Sequence, residues 1–96
     1  MTREEQQTAL FGSLVVMFQS AALQHLGKLK NPATDKIERD LPQAQMMIDM
    51  LDMLEAKTKG NLSKEEGSFL AQILRDLKLN YVDEQARDAS AAKESS

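Results

Sequence analysis

His25 is the single histidine of this 96-residue chain, and no cysteine accompanies it. Zinc and di-iron centres are assembled from several thiolates, imidazoles or carboxylates at fixed helical spacings. One imidazole with no H-x-x-x-H or E-x-x-H spacing around it cannot complete such a set. On an apolar helical stripe, one turn before a helix end, His25 reads as a partly buried residue favoured by the helix dipole. Asp49, Asp52 and Glu55 stand at i, i+3 and i+6, which spreads them over about a third of a helix circumference, as on a solvated face. Glu65 and Glu66 follow Ser63, where helix-start electrostatics account for acids without any acid/base role. No phosphate loop, nucleophile elbow or dinucleotide fingerprint occurs. The expectation is a protein that is not an enzyme and carries neither metal nor cofactor.

Two other groups of residues could act by contact. Met46, Met47, Met50 and Met53 crowd one helical segment, and methionine serves either as a filler of irregular cores or as an adaptable contact surface. Lys57, Lys59 and Lys64 surround Gly60 with no acid between Ala56 and Lys64, and Lys28, Lys30, Lys36 and Arg39 punctuate an earlier loop. If those loops met in space they would form a small basic patch for RNA or an acidic partner. Against that stand Asp35, Glu38 and Asp40, the dipole preference of lysines near helix C-termini, and the lack of stacking aromatics.

The elements that must position these residues are helices. The chain is 42% apolar but only 4% aromatic, with two prolines and a formal charge of −3, a profile of Leu/Met/Ala-filled helical packing in a reducing, cytoplasmic setting. No basic leader is visible in Met1-Thr2-Arg3-Glu4-Glu5. Gln6 to Gly27 is an uncharged stretch of spanning length, yet Gln6, Gln7, Thr8, Ser13, Gln19, Ser20, Gln24 and His25 interrupt it, which argues against a membrane helix.

Capping-box spacing at Thr2/Glu5 opens a first helix that Gly27 stops. Its inward stripe is read as Leu10, Phe11, Leu14, Met17, Phe18, Ala21, Ala22 and Leu26, with Val15, Val16 and Leu23 extending it around the back. Asn31-Pro32 marks a turn within a loop over 28–40. Asp40/Gln43 with Pro42 opens a second helix ended by Gly60, and Ser63/Glu66 opens a third whose stripe is Phe69, Leu70, Ile73, Leu74, Leu77 and Tyr81. Nothing large follows Glu84, so residues 85–96 are expected to be a frayed helix end and a disordered tail. The expected fold is all-α: a helical hairpin plus a covering helix over 1–84.

Asn31-Pro32, Thr34, Lys36, Glu38 and Asp40-Leu41, followed by Ile48-Asp49, Leu51, Leu54, Lys57-Thr58-Lys59-Gly60-Asn61-Leu62 and Glu65-Glu66, resemble a family of short bacterial proteins described only as a domain of unknown function. The resemblance spans Phe11 to Val82 and implies a bacterial origin and a helical fold; it brings no activity, cofactor or catalytic residue. Asp35 stands where the pattern carries glycine, Pro42 where it carries a polar residue, and Gly67 lies inside the third helix.

Three helices in a chain this short cannot hide two broad apolar faces. Val16, Leu23, Met46, Met50 and Met53 are therefore the expected contact residues of an interaction module that self-associates, most simply as a homodimer. The alternatives are a small RNA- or ribosome-associated factor using Lys57, Lys59 and Lys64, and a peripheral membrane protein using helix one.

Overall fold

Short polar side chains meeting free amides set each helix start in the computed structural model, which describes the backbone of residues 1–95 and side chains through residue 93. In α1 (Arg3–His25), the Glu5 amide donates to Thr2 Oγ1 at 3.1 Å and the Thr2 amide donates to Glu5 Oε1 at 3.0 Å. The reciprocal pair forms again before α3 (Lys64–Ser95), where Ser63 and Glu66 exchange bonds of 2.8 and 3.1 Å. Both boxed carboxyls, Glu5 and Glu66, are held below the ordinary glutamate range, chiefly by the bond from the capping residue's backbone. At α2 (Leu41–Thr58) only half of the box exists. Asp40 Oδ1 accepts from the Gln43 amide at 3.2 Å, but the Asp40 amide donates to the His25 carbonyl at 2.8 Å, tying the end of α1 to the start of α2.

Gly27 terminates α1 in a left-handed conformation, φ +80°. Its amide donates to Gln24 O at 3.0 Å and that of Lys28 to Leu23 O at 2.8 Å, the paired bonds that satisfy a helix's last carbonyls. A Cβ there would stand 3.4 Å from Arg39 Cδ, so conformation and packing both favour glycine. Gly60 follows the last turn of α2 at φ +88°.

The connection between α1 and α2 is bonded within itself. Asn31 Oδ1 accepts from the Ala33 amide at 2.9 Å, and an isolated antiparallel bridge joins Asn31 to Lys36. Glu38 accepts from Asn31 Nδ2 at 3.2 Å and from Thr34 Oγ1 at 2.7 Å. Asp35 takes φ +56°, a left-handed geometry that a short polar side chain tolerates and that explains why glycine suits the position.

The three helices run up, down and up. α2 returns from the His25–Asp40 link, while Asp52 on α2 pairs with Lys78 on α3 at 2.9 Å and Lys28 beyond α1 pairs with Glu84 on α3 at 3.0 Å. Their shared core is aliphatic: Val15, Ala22, Leu26, Ala44, Ile48, Leu51, Leu70, Ile73, Leu74 and Leu77, with Phe11, Phe18, Leu23, Met47, Leu54 and Tyr81 among the partly buried side chains around it. The expected helical architecture is present, with two revisions. α3 does not end near Glu84 but continues to Ser95. On α1, Val15 is buried while Leu10, Leu14 and Met17, expected in the inward stripe, are exposed. A helix apolar on most sides carries little phase information, so the positions of α2 and α3 decide which residues turn inward.

Candidate functional site

Leu10, Leu14 and Met17 stand at i, i+4 and i+7 on α1, and Met46, Met50 and Met53 repeat that spacing on α2. At 3.6 residues per turn each triplet occupies an arc of about 60°. The six side chains are 63, 41, 69, 49, 37 and 51% exposed, in that order. α3 covers a different flank of each helix: Thr8, Phe11 and Gly12 of α1 line a hollow with Glu65, Glu66 and Phe69, and Gln45 and Ile48 of α2 line one with Lys78, Tyr81 and Val82. By helical phase, both exposed triplets therefore turn to the side of the α1–α2 seam away from α3. Phe18, Met47 and Leu54, packed against the core, form the floor between them.

Of the five residues expected as contacts, Met46, Met50 and Met53 lie on this exposed face and the other two do not. Leu23 is partly buried against the core, and Val16, although exposed, lies more than 100° around α1 from the Leu14 stripe. Leu10, Leu14 and Met17 share the exposed face instead. Their i, i+4, i+7 spacing was visible, but it read equally well as an inward stripe.

Sequence reasoning also missed the one buried charge among the described residues, Glu84, whose side chain is 6% exposed. It lies on the inward phase of α3 one turn beyond Tyr81. Its Oε2 accepts from Lys28 Nζ at 3.0 Å and its Oε1 pairs with Arg39 Nε at 2.9 Å. Arg39 Nη2 donates further to the Glu84 carbonyl at 3.1 Å and to Asp88 Oδ1 at 3.0 Å, and Arg87 approaches at 3.5 Å. The Lys28 bond above all, with the charges of Arg87 and Arg39, holds the Glu84 carboxyl below the ordinary glutamate range, whereas the bond to Asp88 leads in raising the Arg39 guanidinium. This cluster clasps both ends of the α1–α2 loop to α3 and carries that helix past residue 84.

A family model described as "Domain of unknown function (DUF1844)" matches residues 8–84. The chain belongs to this family. No curated protein and no solved structure matches the chain. The DUF1844 region holds both exposed triplets, the bonded loop and, at its last residue, Glu84.

Within this DUF1844 domain the lysines do not join into one patch. Lys57, Lys59 and Lys64 surround the Gly60 end of α2, and the Lys28–Arg39 loop lies at its other end, some 27 Å away at 1.5 Å per residue over 18 residues. Lys64 lines a hollow of about 720 Å³ with Glu4, Glu5, Glu65 and Glu66, and Lys59 lines another with Asp52 and Glu55. Lys28 and Arg39 are already engaged by Glu84. The α2 acids are spoken for in part: Asp52 by Lys78, and Asp49 by a 2.8 Å bond from Gln45 Nε2. Among the described residues no cluster of His, Cys, Asp or Glu could hold a metal ion, and no helix is long and apolar enough to cross a membrane.

Proposed function

We propose that this chain is a non-catalytic interaction module whose function begins with self-association, two copies covering each other's α1–α2 face. The observation that carries the reading is the paired triplet Leu10/Leu14/Met17 and Met46/Met50/Met53, exposed across one seam. Its α1 half favours a protein partner over solvent: from Gln6 to Gly27 the sequence has no Asp, Glu, Lys or Arg, and the centres of protein interfaces are depleted of charge; on α2 the exposed Asp49 and Lys57 flank the methionine row.

A second copy fits because the face is symmetric in kind, with two parallel rows of like residues. Antiparallel apposition about a two-fold axis near Leu14 and Met50 sets rows against rows and makes a four-helix core. The six side chains retain between 37 and 69% of their exposure. Full burial of a Leu or Met side chain stabilises by about 1.5–3 kcal/mol, so covering the exposed part on both copies contributes on the order of 10–18 kcal/mol. Association costs about 4–15 kcal/mol, a sum of the same size, so the buried area permits a dimer without fixing its affinity.

Sedimentation equilibrium between about 1 and 200 μM tests the reading. The expected result is a concentration-dependent rise from 10.7 kDa towards twice that mass. Met50→Glu should remain helical and monomeric, since a charge is tolerated on a wet surface but not inside a dry interface. A wild-type chain that stays at the monomer mass throughout refutes self-association.

A further inference from the structure

We propose that the methionines of the α1–α2 face are a reversible oxidation site, through which peroxide releases the paired copies while sparing the fold. The proposal rests on the self-association reading above. Its own basis is the distribution of sulfur. The chain has no cysteine, so the thioethers of its six methionines are its oxidisable sulfur. None of them is in the fully buried core, which consists of Val, Ala, Leu and Ile side chains inert to peroxide. Met17, Met46, Met50 and Met53 all lie on the one exposed face; Met47 is partly buried beneath it, and Met1 is at the chain start.

The chemistry balances as a two-electron oxygen transfer. The thioether sulfur attacks hydrogen peroxide, an S–O bond forms as the O–O bond breaks, and water leaves; sulfur is oxidised and peroxide reduced. A methionine sulfoxide reductase reverses the step, with two thiols becoming a disulfide and the oxygen departing as water. The sulfoxide oxygen is a strong hydrogen-bond acceptor. At the centre of the face, among Leu10, Leu14 and the other methionines, no neighbouring side chain offers it a donor, so pairing would bury it unsatisfied there; Lys57 stands only at the Met53 end of the row. In the free copy water solvates it, and the helices keep their aliphatic core. Pairing also shields the sulfurs, so the reaction proceeds through the free copy and slows as protein concentration rises.

The test uses the full chain with hydrogen peroxide as oxidant, intact mass to count added oxygens, sedimentation for association and far-UV circular dichroism for the fold. A variant carrying M17L, M46L, M50L and M53L is the comparator, retaining Met1 and Met47. Oxidised wild type should keep its helical signal and associate about a hundredfold more weakly, each unpaired sulfoxide opposing reassociation. Reductase with dithiothreitol should restore the original affinity, and oxidation should be slower at higher protein concentration. The leucine variant, compared with its own association before treatment, should ignore peroxide. Unchanged association of the oxidised chain, loss of its helical signal, or a leucine variant that peroxide still dissociates would each overturn the switch. If untreated wild type is monomeric, both readings fall; if it dimerises and only the peroxide response is missing, only this one does.

Discussion

Replacing Glu84 by glutamine tests how much of the fold depends on one buried carboxylate. The change preserves size and one acceptor oxygen but removes the charge between Lys28 and Arg39, bonded at 3.0 and 2.9 Å. Hydrogen bonds to charged groups contribute about 1.5–3 kcal/mol each. The cations are 34 and 33% exposed, so water can reach them when the partner goes, and the loss sits well below the 3–5 kcal/mol of a fully buried pair, at about 2 kcal/mol. For a domain of this size that lowers Tm by roughly 8–16 °C. Urea denaturation followed by circular dichroism at pH 7 measures it directly. The pH dependence adds a sign. Because Glu84 is held below its unfolded value, its contribution is complete above that unfolded value and disappears as pH falls through the lower folded one. The gap between wild type and Glu84→Gln should thus be full at pH 7 and close in acid. A double-mutant cycle with Arg39→Met should show coupling of about 1 kcal/mol or more. Should Glu84→Gln lie within about 0.5 kcal/mol of wild type with no closing in acid, the cluster is a surface ornament and the reasoning is wrong.

Two glycines should respond in opposite directions. Gly60→Ala, at φ +88°, should cost about 1 kcal/mol, whereas Gly67→Ala, inside α3 with open space where its Cβ would go, should stabilise by about 0.5–1 kcal/mol. Equal signs in chemical denaturation would contradict the backbone described. Leu51→Ala, at a fully buried position, should destabilise the monomer by about 2–5 kcal/mol, while Met53→Ala on the exposed face should change monomer stability by under about 1 kcal/mol. Similar losses at dilutions where the chain is monomeric would show that Met53 belongs to the core.

Local chemistry was readable in the sequence and long-range choice was not. Thr2/Glu5 and Ser63/Glu66 form complete boxes, as their spacing implied, because each needs only neighbours three residues apart. Asp40/Gln43 had the same spacing, yet the Asp40 amide went to His25, a competitor that appears only once the helices pack. The Met46/Met50/Met53 row was legible from its spacing within α2. Its α1 counterpart was not, since Leu10, Leu14 and Met17 compete with Phe11, Val15 and Phe18 for the inside and only the positions of α2 and α3 settle the contest. Glu84 gave no signal: an acid on the inward phase of α3 reads as the end of burial unless its cations, 45 and 56 residues earlier, are known to arrive there.

That separation along the chain also orders events in time. The amide-to-carbonyl link from Asp40 to His25 closes a short loop, so α1 and α2 can find each other early, at small entropic cost. The clasp around Glu84 closes across 56 residues and cannot form until α3 has docked. The expectation is that its removal quickens unfolding while leaving the folding rate nearly untouched, as for contacts absent from the transition state; a slowed folding rate would place the clasp before the barrier. For this small helical protein, the ionic cluster then contributes to how long the native state lasts once reached.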